Sequence, residues 1–354
     1  MVNARIPRFA YFLLLALSCF LWIPSCKKTV SIQRVGAWQD KYDVFIKEIL
    51  RIGSDDQVDD RYAFGAINEI KIDRSDNVYV LDRKENRIQK YDPNGQYVKS
   101  FSFIKGQGPG EIQRSLSFDL GSEGQLFVID DAQNKIVRFS GEGRYQDSQS
   151  LRIRHSDLIA GNDDVLYLIG GGQGAEGPLI FAYRFLEEKP IFNFCRGDQN
   201  SWLLSRVGYD GAVTKDKNGN IFYSFTYPNE IRAFSPDGKM IREFAREFRA
   251  LKPIANSSSE LPRAEAVVQA VCVFPDGKVL NVIFDRRIKP YKFFFDFFDQ
   301  RGAWLLSFDS TDHLKEWMGR IVRMDRQGNF YLEYHQPFPH VRKYSIQFVK
   351  KNGN

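Results

Sequence analysis

A short pattern returns along the chain at near-constant spacing, and it limits the fold more than any other feature. Its first copy is Ile72-Asp73-Arg74-Ser75-Asp76-Asn77-Val78-Tyr79-Val80. Related stretches lie at 118–128, 161–169, 215–223, 274–282 and 324–332, which makes six units. The match is more than turn composition. Asp82, Ile88 and Gly95 recur as Asp130, Ile136 and Gly143, each 48 residues on. Gly124, Ile136 and Gly143 recur as Gly219, Ile231 and Gly238, about two repeats later. A period of roughly 40–50 residues with four strands per unit means a β-propeller.

In the first unit, strands are expected at 67–72, 78–81, 87–91 and 97–103. Ser75-Asp76-Asn77 and Asp92-Pro93-Asn94-Gly95 separate two of the pairs, and such residues tolerate the positive φ of hairpin turns. The sixth unit ends after its third strand, near Val349. An unpaired strand-like segment, residues 47–53, precedes the first unit. A closed ring abolishes sheet edges. The fold read here is therefore all-β: a six-bladed propeller of four-stranded antiparallel blades, closed by an N-terminal strand and spanning residues 46–354.

Residues 1–25 read as a leader. Arg5 and Arg8 precede an apolar stretch from Phe9 to Ile23, short for a membrane span and within signal-peptide range. The stretch ends in Leu21-Trp22-Ile23-Pro24-Ser25-Cys26, which resembles a bacterial lipoprotein processing site. That resemblance implies lipidation of Cys26, and residues 26–45 then read as a lipidated tether. Lys27 and Lys28 follow in place of aspartate, which points to the outer membrane of a bacterial cell envelope, on its periplasmic or surface side. The formal charge of +6 falls to +4 without Arg5 and Arg8, and no long basic block exists, so nucleic acid is not an expected partner. Cys195 and Cys272 fall in non-neighbouring units and are expected as buried free thiols.

The units resemble NHL-type repeats, and the chain is similar to bacterial six-bladed β-propeller lipoproteins over about residues 46–349. Residues 73–82 and 86–92, with the connector Gly106-Gln107-Gly108-Pro109-Gly110-Glu111, carry that resemblance. It implies a fold that hosts both binders and enzymes.

In a propeller, the loops between second and third strands converge on one face with the inter-blade connections. Here these are the irregular loops, and long loops on a rigid scaffold are where function lies. The former are 82–86, 130–135, 170–178, 225–230, 284–290 and 335–340; the long latter ones are 105–114, 245–264 and 309–319. Arg83, Lys84, Lys105, Arg114, Lys135, Arg286, Arg287 and Lys289 are among the cations in these loops. Arg83, Lys84, Tyr227, Arg286, Arg287, His335 and His340 are the expected ligand-binding residues. The expected partner is a protein, a glycan or another anionic ligand. Asp82 and Asp130 recur in register, which suggests a role in loop geometry.

His335 and His340 share a loop, but no His-Glu-x-x-His motif or cysteine pair accompanies them, so no metal site is assigned. No cofactor and no catalytic residue is assigned either. NHL-type lyases need histidines from several blades, and only four exist here: His155, His313, His335 and His340. Lactonase-type sites use Glu, Asn and Asp and remain open. The main reading is a membrane-anchored, extracytoplasmic, non-catalytic binding or scaffolding module. The alternative is a channel-centred, metal-dependent hydrolase or lyase.

Overall fold

The computed structural model describes residues 32–33, 36–54, 59–170, 177–205, 210–246, 266–286, 289, 292–314 and 322–351. Cys26, Arg287 and the apolar stretch 9–23 lie outside them. Among the described residues no helix is long and apolar enough to cross a membrane.

Six sheets follow one another along the chain, each with four antiparallel strands, and one of them gains a fifth, parallel strand. The N-terminal strands are β1 (Ile32–Gln33) and β2 (Tyr42–Ile52). Blade one is β3 (Ile67–Ile72), β4 (Val78–Asp82), β5 (Arg87–Tyr91) and β6 (Tyr97–Ser102). Blade two is β7 (Ser115–Leu120), β8 (Leu126–Asp130), β9 (Lys135–Phe139) and β10 (Tyr145–Ser150). Blade three is β11 (Asp157–Ala160), β12 (Val165–Ile169), β13 (Pro178–Arg184) and β14 (Phe192–Arg196), followed by helix α1 (Gln199–Ser205). Blade four is β15 (Ala212–Lys215), β16 (Ile221–Ser224), β17 (Glu230–Phe234) and β18 (Met240–Arg246). Blade five is β19 (Ala266–Val273), β20 (Val279–Asp285), β21 (Lys292–Phe298) and β22 (Trp304–Asp309), with the short helix α2 (Ser310–His313). Blade six takes β23 (Val322–Met324), β24 (Phe330–Tyr334) and β25 (His340–Lys350) from the C-terminus, and β2 is its outer strand.

The repeated pattern has a physical cause. Asp73 Oδ1 accepts from the amides of Ser75 and Asn77, and its Oδ2 accepts from Asn77 Nδ2 at 2.8 Å. Asp216 with Asn220, and Asp325 with Asn329, repeat these bonds. One carboxylate thus satisfies the hairpin's otherwise unpaired donors, and the asparagine four residues on fixes its rotation. The middle strands are buried on both faces, as stacked blades require: all five residues of β4, β8 and β24 are buried. Between blades, Gly238 at φ +78 lets the blade-four turn approach the Phe192 ring, where a Cβ would sit 2.9 Å from the ring edge.

Ring closure is as expected, but more of the N-terminus takes part. Strand β2 starts at Tyr42, and residues 36–41 also join the ring rather than serving as tether. Ala37 and Trp38 donate backbone bonds to Trp304 and Leu305. The Gln39 amide binds both the carbonyl and the amide of Ser307, at 3.0 and 2.8 Å, as a further strand would. β1 pairs in parallel with β18. The segment therefore runs along the outer strands of blades four, five and six. Cys195 and Cys272 are buried free thiols, as expected.

Candidate functional site

The first strand of each blade lines the axis, and several carry charge inward. Glu69 and Lys71 come from β3, Asp119 from β7, Asp157 from β11, Lys215 from β15 and Arg323 from β23. Arg323 Nη2 lies 2.6 Å from Glu69 Oε1. Lys71 Nζ reaches Glu69 at 4.0 Å and Asp157 at 3.9 Å. Lys215 Nζ reaches Asp119 at 3.2 Å and donates to the Ala160 carbonyl at 2.6 Å. Ser117 Oγ donates to Asp157 at 2.5 Å.

Two of these pairs skip a blade. Lys71 of blade one meets Asp157 of blade three, and Asp119 of blade two meets Lys215 of blade four. Such side chains reach across the inner end of the intervening blade, so the axis is spanned by protein charge. Three carboxylates face three cations. Burial pushes the Glu69 carboxyl up, against the pull of Arg323 and Lys71. Burial works the same way on Asp119, but Lys215 and Lys71 outweigh it and hold that carboxyl below its ordinary range. Lys71 is raised: burial opposes its charge, but Asp157, Glu69 and Asp119 favour it more. Among the described residues, no three His, Cys, Asp or Glu side chains are grouped to hold a metal ion.

The irregular face is built differently. Asp82 Oδ2 and Oδ1 accept from the amides of Gly65 and Ala66 at 2.8 and 2.9 Å. Asp130 accepts in the same way from Gln113 and Arg114. Asn86 and Asn134, four residues on and at positive φ, hold the carbonyls of Phe103 and Leu151. Each pair ties a loop to the incoming connection, which is the role the register suggested.

Of the expected ligand residues, Arg83 is half-buried and Lys84, Arg286 and His335 are exposed. They lie on blades one, five and six, which are neighbours in the closed ring. Tyr227 is half-buried on blade four. The structure brings these loops to four consecutive blades of one face. Two further loop cations make contacts within the loops. Lys135 is buried and donates to Gly108 O at 3.4 Å, and Arg114 pairs with Asp131 at 2.7 Å.

His340 requires a correction, because it is fully buried. Its Nδ1 meets the Phe338 carbonyl at 2.7 Å, its Nε2 accepts from Arg342 at 2.8 Å, and its ring stacks on Tyr334. It therefore holds the loop that presents His335. Sequence reasoning placed all candidates in loops and missed the axial charges. The available signal was charge alternating with apolar residues in the first strand, as in Glu69-Ile70-Lys71-Ile72.

The Tyr227 loop rests on a charged clamp. Ser201 of α1 donates to the Tyr227 carbonyl at 2.9 Å, and Phe225 donates to that of Glu230 at 2.9 Å. Arg232 pairs with Glu230 and, at 3.1 Å, with Glu243, and donates to Arg196 O across the blade gap. Burial raises Glu230 to about 7, against Arg232 and with help from the neighbouring Glu243. Between pH 4.5 and 7 the folded state then holds a proton that the unfolded state has released. Stability from this group is complete below pH 4.5 and is lost as pH rises to 7, on the order of 3 kcal/mol at most. Burial holds His155 at about 4, so its contribution runs the other way and is lost as pH falls below 6.5. Urea midpoints from pH 4.5 to 8 should show Glu230→Gln losing the decline towards neutral pH. A variant with the parent's pH curve would refute the assignment.

The family DUF5128, described as a 6-bladed beta-propeller, matches residues 57–243. Among solved structures, a Bacteroides fragilis NCTC 9343 protein described as exported is similar at a TM-score of 0.60 and 12% identity, covering 91% of this chain and 98% of that one. A member of the duf4221 family from Bacteroides vulgatus ATCC 8482 is similar at a TM-score of 0.61 and 11% identity, covering 87% and 99%. At such identities the likeness extends to the fold alone. No curated protein matches the sequence.

Proposed function

This chain belongs to the DUF5128 family of 6-bladed β-propellers, and on that premise we propose that it is a lipid-anchored, extracytoplasmic binding module of a bacterial cell envelope. Cys26 carries the anchor, in the outer membrane. The ligand docks on the irregular loop face. The description of the Bacteroides fragilis relative as exported supports the location.

One observation carries the functional reading: the axial carboxylates are already paired with Lys71, Lys215 and Arg323. A lactonase- or lyase-type centre needs carboxylates available to a cation, and these are engaged. Lys84, Arg286 and His335 are exposed on the loop face, with Arg83 and Tyr227 half-buried on the same face, which supports a docking surface with cationic character there. Such a face attracts an anionic glycan, a carboxylate-bearing ligand or an acidic protein. An aromatic side chain beside it suits an anchor role.

Charge reversal tests this. Binding to immobilised anionic polysaccharides and to acidic envelope proteins is measured for the parent, for Lys84→Glu with Arg286→Glu, and for Lys217→Glu with Arg301→Glu on the opposite turns. The first pair should lose at least about tenfold in affinity, the equivalent of ~1.4 kcal/mol, and the second should lose almost none. Equal losses from both, or loss from the second alone, would place the binding face elsewhere.

A further inference from the structure

We infer that Glu230 and Glu243 share one proton across Arg232, and that this pair regulates the Tyr227 loop. With the proton in place the loop is held in shape for its ligand; without it the loop loosens. The inference rests on the docking reading of the loop face proposed above and adds a regulation to it.

Charge counting carries the first step. Glu230 and Arg232 lie on β17, and Glu243 stands opposite Arg232 on β18. Nη2 of Arg232 meets Glu230, and its Nε donates to Glu243 at 3.1 Å. Glu243 also lies within hydrogen-bonding reach of Glu230. Among the described residues, neither carboxylate pairs with a second cation. The side chains of Glu230, Glu243 and Arg232 are 10%, 20% and 23% exposed. One guanidinium balances one carboxylate. A second negative charge so close, in a site with little water, is disfavoured, and one proton stays with the pair. Glu230 is the more buried of the two and keeps it. Burial raises that carboxyl to about 7 against the pull of Arg232, and Glu243 adds to the rise. Blade three adds no charge that changes in this range. The Cys195 thiol of β14 is pushed up by burial and stays neutral, and Arg196 offers Arg232 its backbone carbonyl at 2.6 Å.

The pair grips the loop at both ends. Glu230 closes it: its amide donates to the Pro228 carbonyl at 2.8 Å, and its carbonyl accepts from the Phe225 amide at 2.9 Å. At the other end, the Arg232 guanidinium lies over the Phe225 ring, 4.5 Å from its centre. In between, Ser201 donates to the Tyr227 carbonyl at 2.9 Å and Asn281 to the Asn229 side chain at 3.4 Å. Those two bonds do not depend on the proton, so the loop loosens without coming away. Loss of the proton leaves two carboxylates on one guanidinium. The Glu230 side chain then moves towards water and draws on the backbone bonds that close the loop. The same step adds a negative charge beside the docking face. Both effects weaken capture of an anionic ligand as pH rises through 7, and by linkage the bound ligand favours the proton.

The test uses the full chain with His335→Gln as a common background, because an exposed imidazole changes charge between about pH 5 and 8. Tyr227→Cys is labelled with bimane. Cys195 and Cys272 are buried, and the chain without the new cysteine supplies the labelling background. Emission is followed from pH 5.5 to 8.5. It should change with a midpoint near 7, stay flat in Glu230→Gln, and shift to a lower midpoint in Glu243→Gln, where Arg232 serves Glu230 alone. A flat parent, or a titration that survives Glu230→Gln, would overturn the switch. A midpoint unmoved by Glu243→Gln would overturn the shared proton. Binding to polygalacturonate, measured with Tyr227 intact, should fall about fivefold from pH 6 to 8 and hold steady in Glu230→Gln. Capture that is absent or indifferent to pH, beside a loop that titrates, would keep the switch and overturn the docking reading instead.

Discussion

Removal of residues 32–52 is expected to leave a chain that no longer forms a monomeric ring. β2 supplies the outer strand of blade six, with Tyr42, Val44 and Ile46 packed against the blade-five core and Leu50 and Ile52 against the blade-one core. Burying side chains of this size contributes roughly 1.5–3 kcal/mol each when complete. Even discounted for partial burial, five of them approach the ~5–15 kcal/mol that holds a typical domain together. Deletion also uncovers the hydrogen-bonding edge of β25, an invitation to pairing between copies. It removes the Trp38–Tyr42 stack and the Gln39 clamp on Ser307 as well. Thermal melts and gel filtration of a chain starting at residue 53 should show loss of the cooperative transition, aggregation, or both. A synthetic 32–52 peptide added in trans should restore part of the melt. A truncated chain that stays monomeric and melts within a few degrees of the parent would refute the closure.

The closing strand was legible because the sixth unit lacks one strand and residues 47–53 supply it. Its full extent was not legible. Trp38 and Gln39 have no periodic signal; their role depends on meeting the outer strand of blade five, distant in sequence. The Asp73–Asn77 turn was legible as a pattern because one carboxylate satisfies a fixed set of local donors, and local bonding leaves a fixed spacing. The axial charges were harder. Glu69, Asp119 and Asp157 are single residues in short strands on three blades, and only closure brings them to Lys71, Lys215 and Arg323. His335 and His340 show the limit of loop reading. Both fall in one loop as read from the sequence, yet His335 is exposed, whereas His340 opens β25 and is buried against Tyr334. Composition and spacing do not separate the two; burial does.

The axial network makes the other large prediction. Arg323 and Glu69 are held 2.6 Å apart, with side chains 21% and 7% exposed. Asp157 and Glu69 keep Arg323 above its ordinary range although burial opposes its charge. Removing one member of a buried pair strands the other charge, at a cost of about 3–5 kcal/mol, whereas removing both leaves little uncompensated charge. Arg323→Leu and Glu69→Leu should each be strongly destabilising. The double variant should regain much of the loss, although Lys71 will then lean more on Asp157.

Urea unfolding of these four proteins, the parent, the two single variants and the double, tests most directly whether the channel is a structural core and function belongs to the loop face. Residues kept for chemistry are often held at the expense of stability, so replacing them is neutral or stabilising. The expected result is a loss of about 3–5 kcal/mol for each single variant and a coupling of roughly 2 kcal/mol or more in the cycle. Single variants as stable as the parent, or more stable, would contradict the account and mark the channel as the functional centre.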